Sequence, residues 1–152
     1  MKIFIFDIDD TIYRHDQKLI YDNIKEDKIL TQLLYYCPYP KYVYTNATFG
    51  HADIILNKMR ISDKFIKIYS RDNIPSMKPD INSAIALEKD ISLKYNQKNQ
   101  YYFFDDLLEN LKSVKQRGWV TIWISPLYYT KDKFPFIDHS YPDIKTALYY
   151  LQ

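Results

Sequence analysis

Cysteine and glycine are the scarcest useful residues in this chain: one Cys and two Gly in 152 positions. A lone Cys37 excludes an internal disulfide, so the cross-linked framework of a small secreted scaffold is ruled out and a reducing, cytosolic setting is expected. Two glycines leave little means of bending the chain tightly around a ligand by backbone freedom alone. Charge of one sign is also missing. The 21 basic and 19 acidic side chains leave a formal charge of +2, so no global field points to nucleic acid or to a membrane surface. No stretch approaches the roughly 18 apolar residues of a membrane span, and acids break the opening apolar run too early for a signal peptide. A soluble protein without a membrane partner is the expectation. What remains is 47% hydrophobic and 17% aromatic, enough for one ordinary core and too little for two. Residues 1–152 therefore read as a single domain. The sixteen tyrosines, with abundant Ile, Lys and Asn, match the skew of an AT-rich coding sequence and carry no functional reading.

The order of elements comes from periodicity. Ile3 to Phe6 is a continuous apolar run that suits a buried strand. Ile20, Ile24, Leu30, Leu33, Leu34 and Cys37 then recur as on one face of a helix, which Pro38 and Pro40 end. Lys41 to Tyr44 is a second strand, followed by a helix through Phe49, Ala52, Leu56 and Met59. Phe65 to Tyr69 is a third candidate strand. Pro79 suits a first helical position, and Ile81, Ala84, Ile85 and Leu87 continue that helix. Tyr101 to Phe104 is a fourth strand, with a helix through Leu107, Leu108, Leu111 and Val114 that Gly118 closes. Trp119 to Ile124 is the fifth, and Ile144, Ala147, Leu148 and Leu151 mark a last helix after Pro142. Strands alternating with helices predict a three-layer, doubly wound α/β fold with a mainly parallel, five-stranded sheet.

Polar groups collect where those strands end. Asp7, Asp9 and Thr11 follow the first, Thr45 and Asn46 the second, Lys78 precedes a later helix, and Asp105-Asp106 follow the fourth. A parallel sheet brings such ends to one edge, where open α/β sheets hold their ligands. Carboxylates from two strands suit Mg²⁺, which prefers hard oxygen donors and keeps waters or substrate phosphate in its shell. A lysine and a threonine hydroxyl answer the remaining oxygens of a phosphoryl group, and the helix after Thr45-Asn46 adds backbone N–H groups.

With these residues in order, the chain resembles the haloacid dehalogenase-like phosphatases. Their four motifs match Asp7-Ile8-Asp9-Asp10-Thr11, Thr45, Lys78, and Asp105-Asp106 with Asn110, over residues 3 to about 124. The wording of Tyr44 to Ala52, of Lys78-Pro79 and of Phe104-Asp105-Asp106 is most similar to the pyrimidine 5′-nucleotidase-like branch. The resemblance implies a two-step hydrolysis in which Asp7 attacks phosphorus and Asp9 acts as general acid, then general base. It implies that Thr45 and Lys78 hold phosphoryl oxygens, with Asn46 beside them, and that Lys78 restrains Asp7. Asp106 would ligate Mg²⁺ with Asp7 and the carbonyl of Asp9, and Asp105 would be a second or water-mediated ligand. Thr11 would brace the first loop, and Asn110 would support the metal from outside. The substrate it implies is a nucleotide or another small phosphometabolite.

Taken singly, these residues have blander readings: Asp7, Asp9 and Thr11 as a solvated capping loop, Thr45 and Asn46 as helix N-caps, Lys78 as a surface lysine. Their joint order argues against that, and the intact Asp9 argues against a non-catalytic binding module of the same fold. His15, His51 and His139 show no metal-site spacing and read as ordinary polar or partly buried residues. Cys37 reads as a small core hydrophobe. Where the family commonly inserts a cap domain, this chain has only residues 12–44 and 46–77, so it departs from the capped nucleotidase-like pattern. Residues 13–37 would have to serve as a reduced lid, with Tyr13, Arg14 and His15 nearest the metal. An open site also admits a phosphate on a polynucleotide end or a phosphoprotein.

Overall fold

The run Ile3-Phe4-Ile5-Phe6 is apolar at every position because both of its faces are covered. In a computed structural model, which describes residues 1–15 and 19–152, it lies in β1 (Lys2–Phe6), between parallel neighbours β2 (Lys41–Tyr44) and β4 (Gln100–Asp105). β3 (Ile68–Tyr69) extends the sheet beyond β2. β5 (Val120–Ile124) and β6 (His139–Tyr141) extend it beyond β4. The strand order is β3-β2-β1-β4-β5-β6, and every neighbouring pair is parallel.

Five helices cover the two faces: α1 (Lys28–Tyr36), α2 (Phe49–Lys58), α3 (Ile81–Lys94), α4 (Leu108–Lys115) and α5 (Ile144–Leu151). Alternation along β1 sends Phe4 and Phe6 into one core with Leu30 and Leu34 of α1, Ile55 and Leu56 of α2, and Leu148 of α5. Ile3 and Ile5 enter the other, with Leu87 of α3 and Leu111 of α4. Phe6 also stacks on Phe104 with ring centroids 4.6 Å apart. Each such side chain contributes about 1.5–3 kcal/mol of transfer free energy, which fixes β1 at the centre and with it the direction of Asp7.

The three-layer, doubly wound α/β architecture is as expected, with one strand more than the five read from the sequence. β6 was missed because His139-Ser140-Tyr141 is a half-buried edge strand with no apolar run to announce it. The third strand shrinks from the expected 65–69 to two residues. The expected helix through Ile20 to Cys37 divides into a 3₁₀ turn at Tyr21–Asn23 and α1, because Asp27 caps α1 by accepting from the N–H of Ile29 and Leu30. Pro79 is not a first helical residue. Asp80 is the N-cap of α3, so the proline stands just outside it. Gly118 has φ +77°, the left-handed turn that lets the chain leave α4 for β5. No helix among the described residues is long and apolar enough to cross a membrane.

Candidate active site

The strand order reverses at β1, which leads to β2 on one side and meets β4 on the other. Ligands of open α/β sheets sit in the crevice this reversal leaves at the carboxyl ends. Asp7 leaves β1 there, its N–H donating to Phe104 O at 2.9 Å, and Asp105 ends β4 beside it. The first loop then folds back on itself. Asp10 adopts φ +59°, a conformation Asp tolerates better than most residues, and donates its N–H to Tyr13 O at 2.6 Å. Thr11, Ile12 and Tyr13 all donate N–H to Ile8 O, at 3.1, 2.9 and 3.0 Å. The turn glycine would otherwise supply is built from Asp10 and this shared carbonyl.

Lys78 organises the floor of the crevice. Its Nζ donates to Asp7 Oδ1 at 2.9 Å, to Asp105 Oδ2 at 2.8 Å and to Tyr44 O at 2.9 Å, which uses all three ammonium protons. The rings of Tyr44 and Phe103 lie 5.0 and 5.2 Å from it. Burial opposes its charge, but Asp105 and Asp7 outweigh that, so the ammonium is held more firmly than an ordinary lysine. Asn46 fixes the lysine's backbone: its Oδ1 accepts from Lys78 N–H at 2.8 Å and its Nδ2 donates to Lys78 O at 3.0 Å. Two bonds from the Asn46 side chain thus go to Lys78, which leaves one Nδ2 proton and the backbone to face a phosphate. Thr45 is buried just past β2, where its Oγ1 accepts from Ala47 N–H at 3.1 Å.

Two carboxylates meet this lysine and a third, Asp106, lies beside them. Asp7, Asp105 and Asp106 each offer an oxygen within 4.8 Å of the others. Asp105 is the best satisfied, accepting from Lys78, from Asn110 Nδ2 at 3.1 Å and from Leu107 N–H at 2.8 Å. Thr11 Oγ1 donates to Asp7 Oδ2 at 3.2 Å and stands 3.5 Å from Asp106 Oδ1. Burial, reinforced by Asp105 and offset in part by Lys78, pushes the Asp7 carboxyl up to about 7. Asp106 is pushed up to about 8 by burial and then by Asp105 and Asp7. Ionised together, the three carboxylates would leave two negative charges uncompensated by the one ammonium, and the fewest hydrogen bonds reach Asp106 and then Asp7. That donor set fits a hard divalent cation such as Mg²⁺, with Asp106 and Asp7 as holders and Asp105 behind them.

Asp9 lies apart from these three and next to two histidines, of which only His15 was expected near the site, as part of the lid. Its Oδ1 is 2.6 Å from His15 Nε2 and 2.8 Å from His51 Nε2. The signal was available in position rather than spacing, since Thr45 places the first turn of α2, and therefore His51, at the same sheet edge. A hollow of about 340 Å³ opens beside Asp106, lined by Asp10, Arg14, His15, Ile124, Ser125 and Pro126. A larger one, about 680 Å³, lies at the opposite end of the sheet around Met1, Gln100 and Trp119, and none of the clustered acids lines it.

No protein-family model matches this sequence, and no curated protein matches it either. Solved structures match it in three dimensions. D,D-heptose 1,7-bisphosphate phosphatase from B. bronchiseptica, complexed with magnesium and phosphate, superposes with a TM-score of 0.66 at 16% identity, over 99% of this chain and 98% of that one. A Had-superfamily hydrolase from Ehrlichia chaffeensis gives 0.64 at 11% identity, over 97% and 94%. L-2-haloacid dehalogenase from Xanthobacter autotrophicus gives 0.64 at 14% identity, over 85% of this chain but only 62% of the dehalogenase. The chain spans about three fifths of that enzyme's length. It has the haloacid dehalogenase-like fold, as the resemblance implied.

Proposed function

We propose that this chain is a Mg²⁺-dependent phosphomonoester hydrolase that works through an aspartyl-phosphate intermediate on a nucleotide or another small phosphometabolite. The observation that carries the reading is Asp7 bound to Lys78 at 2.9 Å, with Asp106 beside it and Asp9 two residues along. In this reading Asp7 attacks phosphorus in line with the leaving oxygen, Asp9 protonates that oxygen, and Asp9 then takes a proton from the water that hydrolyses the intermediate. Thr45 faces the phosphoryl oxygens, and Lys78 keeps Asp7 aimed and would reach a phosphoryl oxygen by turning a proton away from one of its three acceptors. A bound Mg²⁺ would supply charge compensation for the phosphoryl group as negative charge concentrates on it. Asp7, Asp106 and the carbonyl of Asp9 would hold it, Asp105 from behind. Thr11 braces the loop, and Asn110 holds Asp105.

Residues 1–152 are read as one hydrolase domain. Within 13–37, of which 16–18 lie outside the described residues, the lid role falls to Tyr13, Arg14 and His15, because Leu30 and Leu34 commit α1 to the core. A cytosolic setting belongs to the same reading and rests on the lone, buried Cys37. The hollow beside Asp106 supports a second reading, hydrolysis of a phosphate on a polynucleotide end or a phosphoprotein, since no helical unit covers it among the described residues. Purified protein should release phosphate from a panel of nucleotides, sugar phosphates and phosphorylated oligomers with Mg²⁺ and stop with chelator. Activity that survives in Asp7→Asn ends the mechanism.

A further inference from the structure

Asp9 is an unusual proton carrier to find unsupported by packing: its side chain is 34% exposed, so burial does not fix its rotamer. Two imidazoles fix it instead. His15 Nε2 and His51 Nε2 both reach the same oxygen, Oδ1, and no described residue bonds Oδ2. Each imidazole is itself anchored. The His15 N–H donates to Asp10 Oδ1 at 2.9 Å and its ring meets Tyr13 edge-on at 5.0 Å. The His51 N–H donates to the Thr48 cap at 3.2 Å, and its Nδ1 lies 2.8 Å from Tyr21 Oη.

The tautomers follow from the partners. A carboxyl oxygen that carries no proton can only accept, so both Nε2 atoms donate to Oδ1. A neutral His51 then has a bare Nδ1, and among the described residues the proton available to it is the Tyr21 hydroxyl's. The chain of donors runs Tyr21 to His51 to Asp9.

We infer that Tyr21, His51 and His15 are positioning residues that clamp Asp9 by Oδ1, leaving Oδ2 as the single oxygen that trades a proton with the leaving group, and that this suits the site to alkyl phosphate esters. The inference rests on the hydrolase reading given above. In the first step the proton on Asp9 Oδ2 passes to the ester oxygen as the P–O bond to the alcohol breaks and the bond from Asp7 to phosphorus forms. In the second, Oδ2 takes a proton from water as the water oxygen bonds to phosphorus and the Asp7–phosphorus link breaks. Ester and water have become alcohol and phosphate, and Asp9 is restored. Oδ1 accepts from the same two N–H groups in both protonation states, so nothing in the clamp has to rearrange between the steps. A fixed general acid matters most where the leaving oxygen is strongly basic, as in an alkyl ester, and least for an aryl ester whose phenolate leaves unaided.

The test compares glycerol phosphate with 4-nitrophenyl phosphate, each with Mg²⁺, in the full chain and in His51→Ala, His51→Gln, His15→Ala and Tyr21→Phe. His51→Ala should lose about tenfold more kcat on the alkyl ester than on the aryl ester, with KM for the two little changed. Tyr21→Phe should show the same bias more weakly, and His51→Gln, whose amide N–H can reach Asp9, should recover part of it. Equal losses on both esters mean a merely structural role and overturn the clamp, as does no loss on either. Should the unmodified protein hydrolyse neither these esters nor any member of the nucleotide, sugar-phosphate and oligomer panel, the hydrolase reading fails, and imidazole ¹⁵N spectra decide the clamp separately. An Nε2–H tautomer at His51 that is lost in Asp9→Ala and in Tyr21→Phe supports it, and a tautomer indifferent to both substitutions overturns it.

Discussion

Lys78 Nζ sits 2.9 Å from Asp7 Oδ1 with no proton left over, because Tyr44 O and Asp105 Oδ2 take the other two. Removing the ammonium would leave two buried carboxylates facing each other across its place. Lys78→Met should therefore destabilise the fold by about 3–5 kcal/mol as well as abolish phosphate release. Denaturant melts of metal-free protein read the first effect, and a phosphate assay reads the second. Retained stability would mean that the lysine is not the charge centre of the crevice.

Asp7 itself works against the metal-free fold. Burial and Asp105 hold its carboxyl up to about 7, so near neutral pH the site resists its ionisation. Asp7→Asn keeps the shape and an oxygen for Lys78 while removing that charge. The variant should lose turnover by several orders of magnitude and yet melt at or above the temperature of the unmodified protein at pH 8 without Mg²⁺. A lower melting temperature would contradict the charge imbalance in the crevice.

The same imbalance gives a pH dependence with a definite sign. Asp7 and Asp106 have carboxyls raised from about 3.8 to about 7 and about 8, so between those values the folded state binds more protons than the unfolded one. Stability from these groups is full below pH 4 and falls as pH rises through 7 and 8. With chelator, melting temperature should decline over that interval. With Mg²⁺ it should not, and the gain from Mg²⁺ should be larger at pH 8 than at pH 5. Identical curves with and without the metal would remove the case for a cation between Asp7 and Asp106.

Asn46 holds Lys78 by two hydrogen bonds to its backbone, at 2.8 and 3.0 Å. Asn46→Ala should cost about 2 kcal/mol from two lost bonds and lower kcat more than it raises KM, since the damage is to the aim of Lys78. A rise in KM alone would restore the asparagine to a direct phosphate contact.

Lys78 was legible only from its place in the order of motifs ahead of a helix, while the four acids were legible because they follow strands whose apolar runs have no other explanation, and a parallel sheet gathers such ends. The central β1 was legible for the same reason: Ile3 to Phe6 is buried on both faces. β6 was not, because an edge strand of His, Ser and Tyr has neither run nor alternation. The meeting of His15 and His51 at Asp9 was not, because they come from a folded-back loop and a helix start 36 residues apart in sequence and are brought together by tertiary packing. The hold of Asn46 on Lys78 was not legible either, since nothing local says that its amide turns to the peptide of Lys78.

Trp123 offers the last prediction, since it touches a candidate metal holder without being one. Its Nε1 donates to Asp106 O at 2.9 Å from the carboxyl end of β5, while its ring packs edge-on against Phe134 at 5.4 Å. The bond fixes the backbone of Asp106, and therefore the direction of a carboxylate whose only side-chain partner among the described residues is the long contact with Thr11. Partners that orient a ligand from outside typically govern metal affinity by 10–100-fold. Trp123→Phe keeps most of the apolar contact and loses the donor. It should raise the Mg²⁺ concentration for half-maximal activity by about tenfold, with kcat at saturating Mg²⁺ recovered to near the original value. Titration of phosphate release against Mg²⁺ checks this, and an unchanged midpoint would mean that the turn after β4 holds Asp106 in place without the indole.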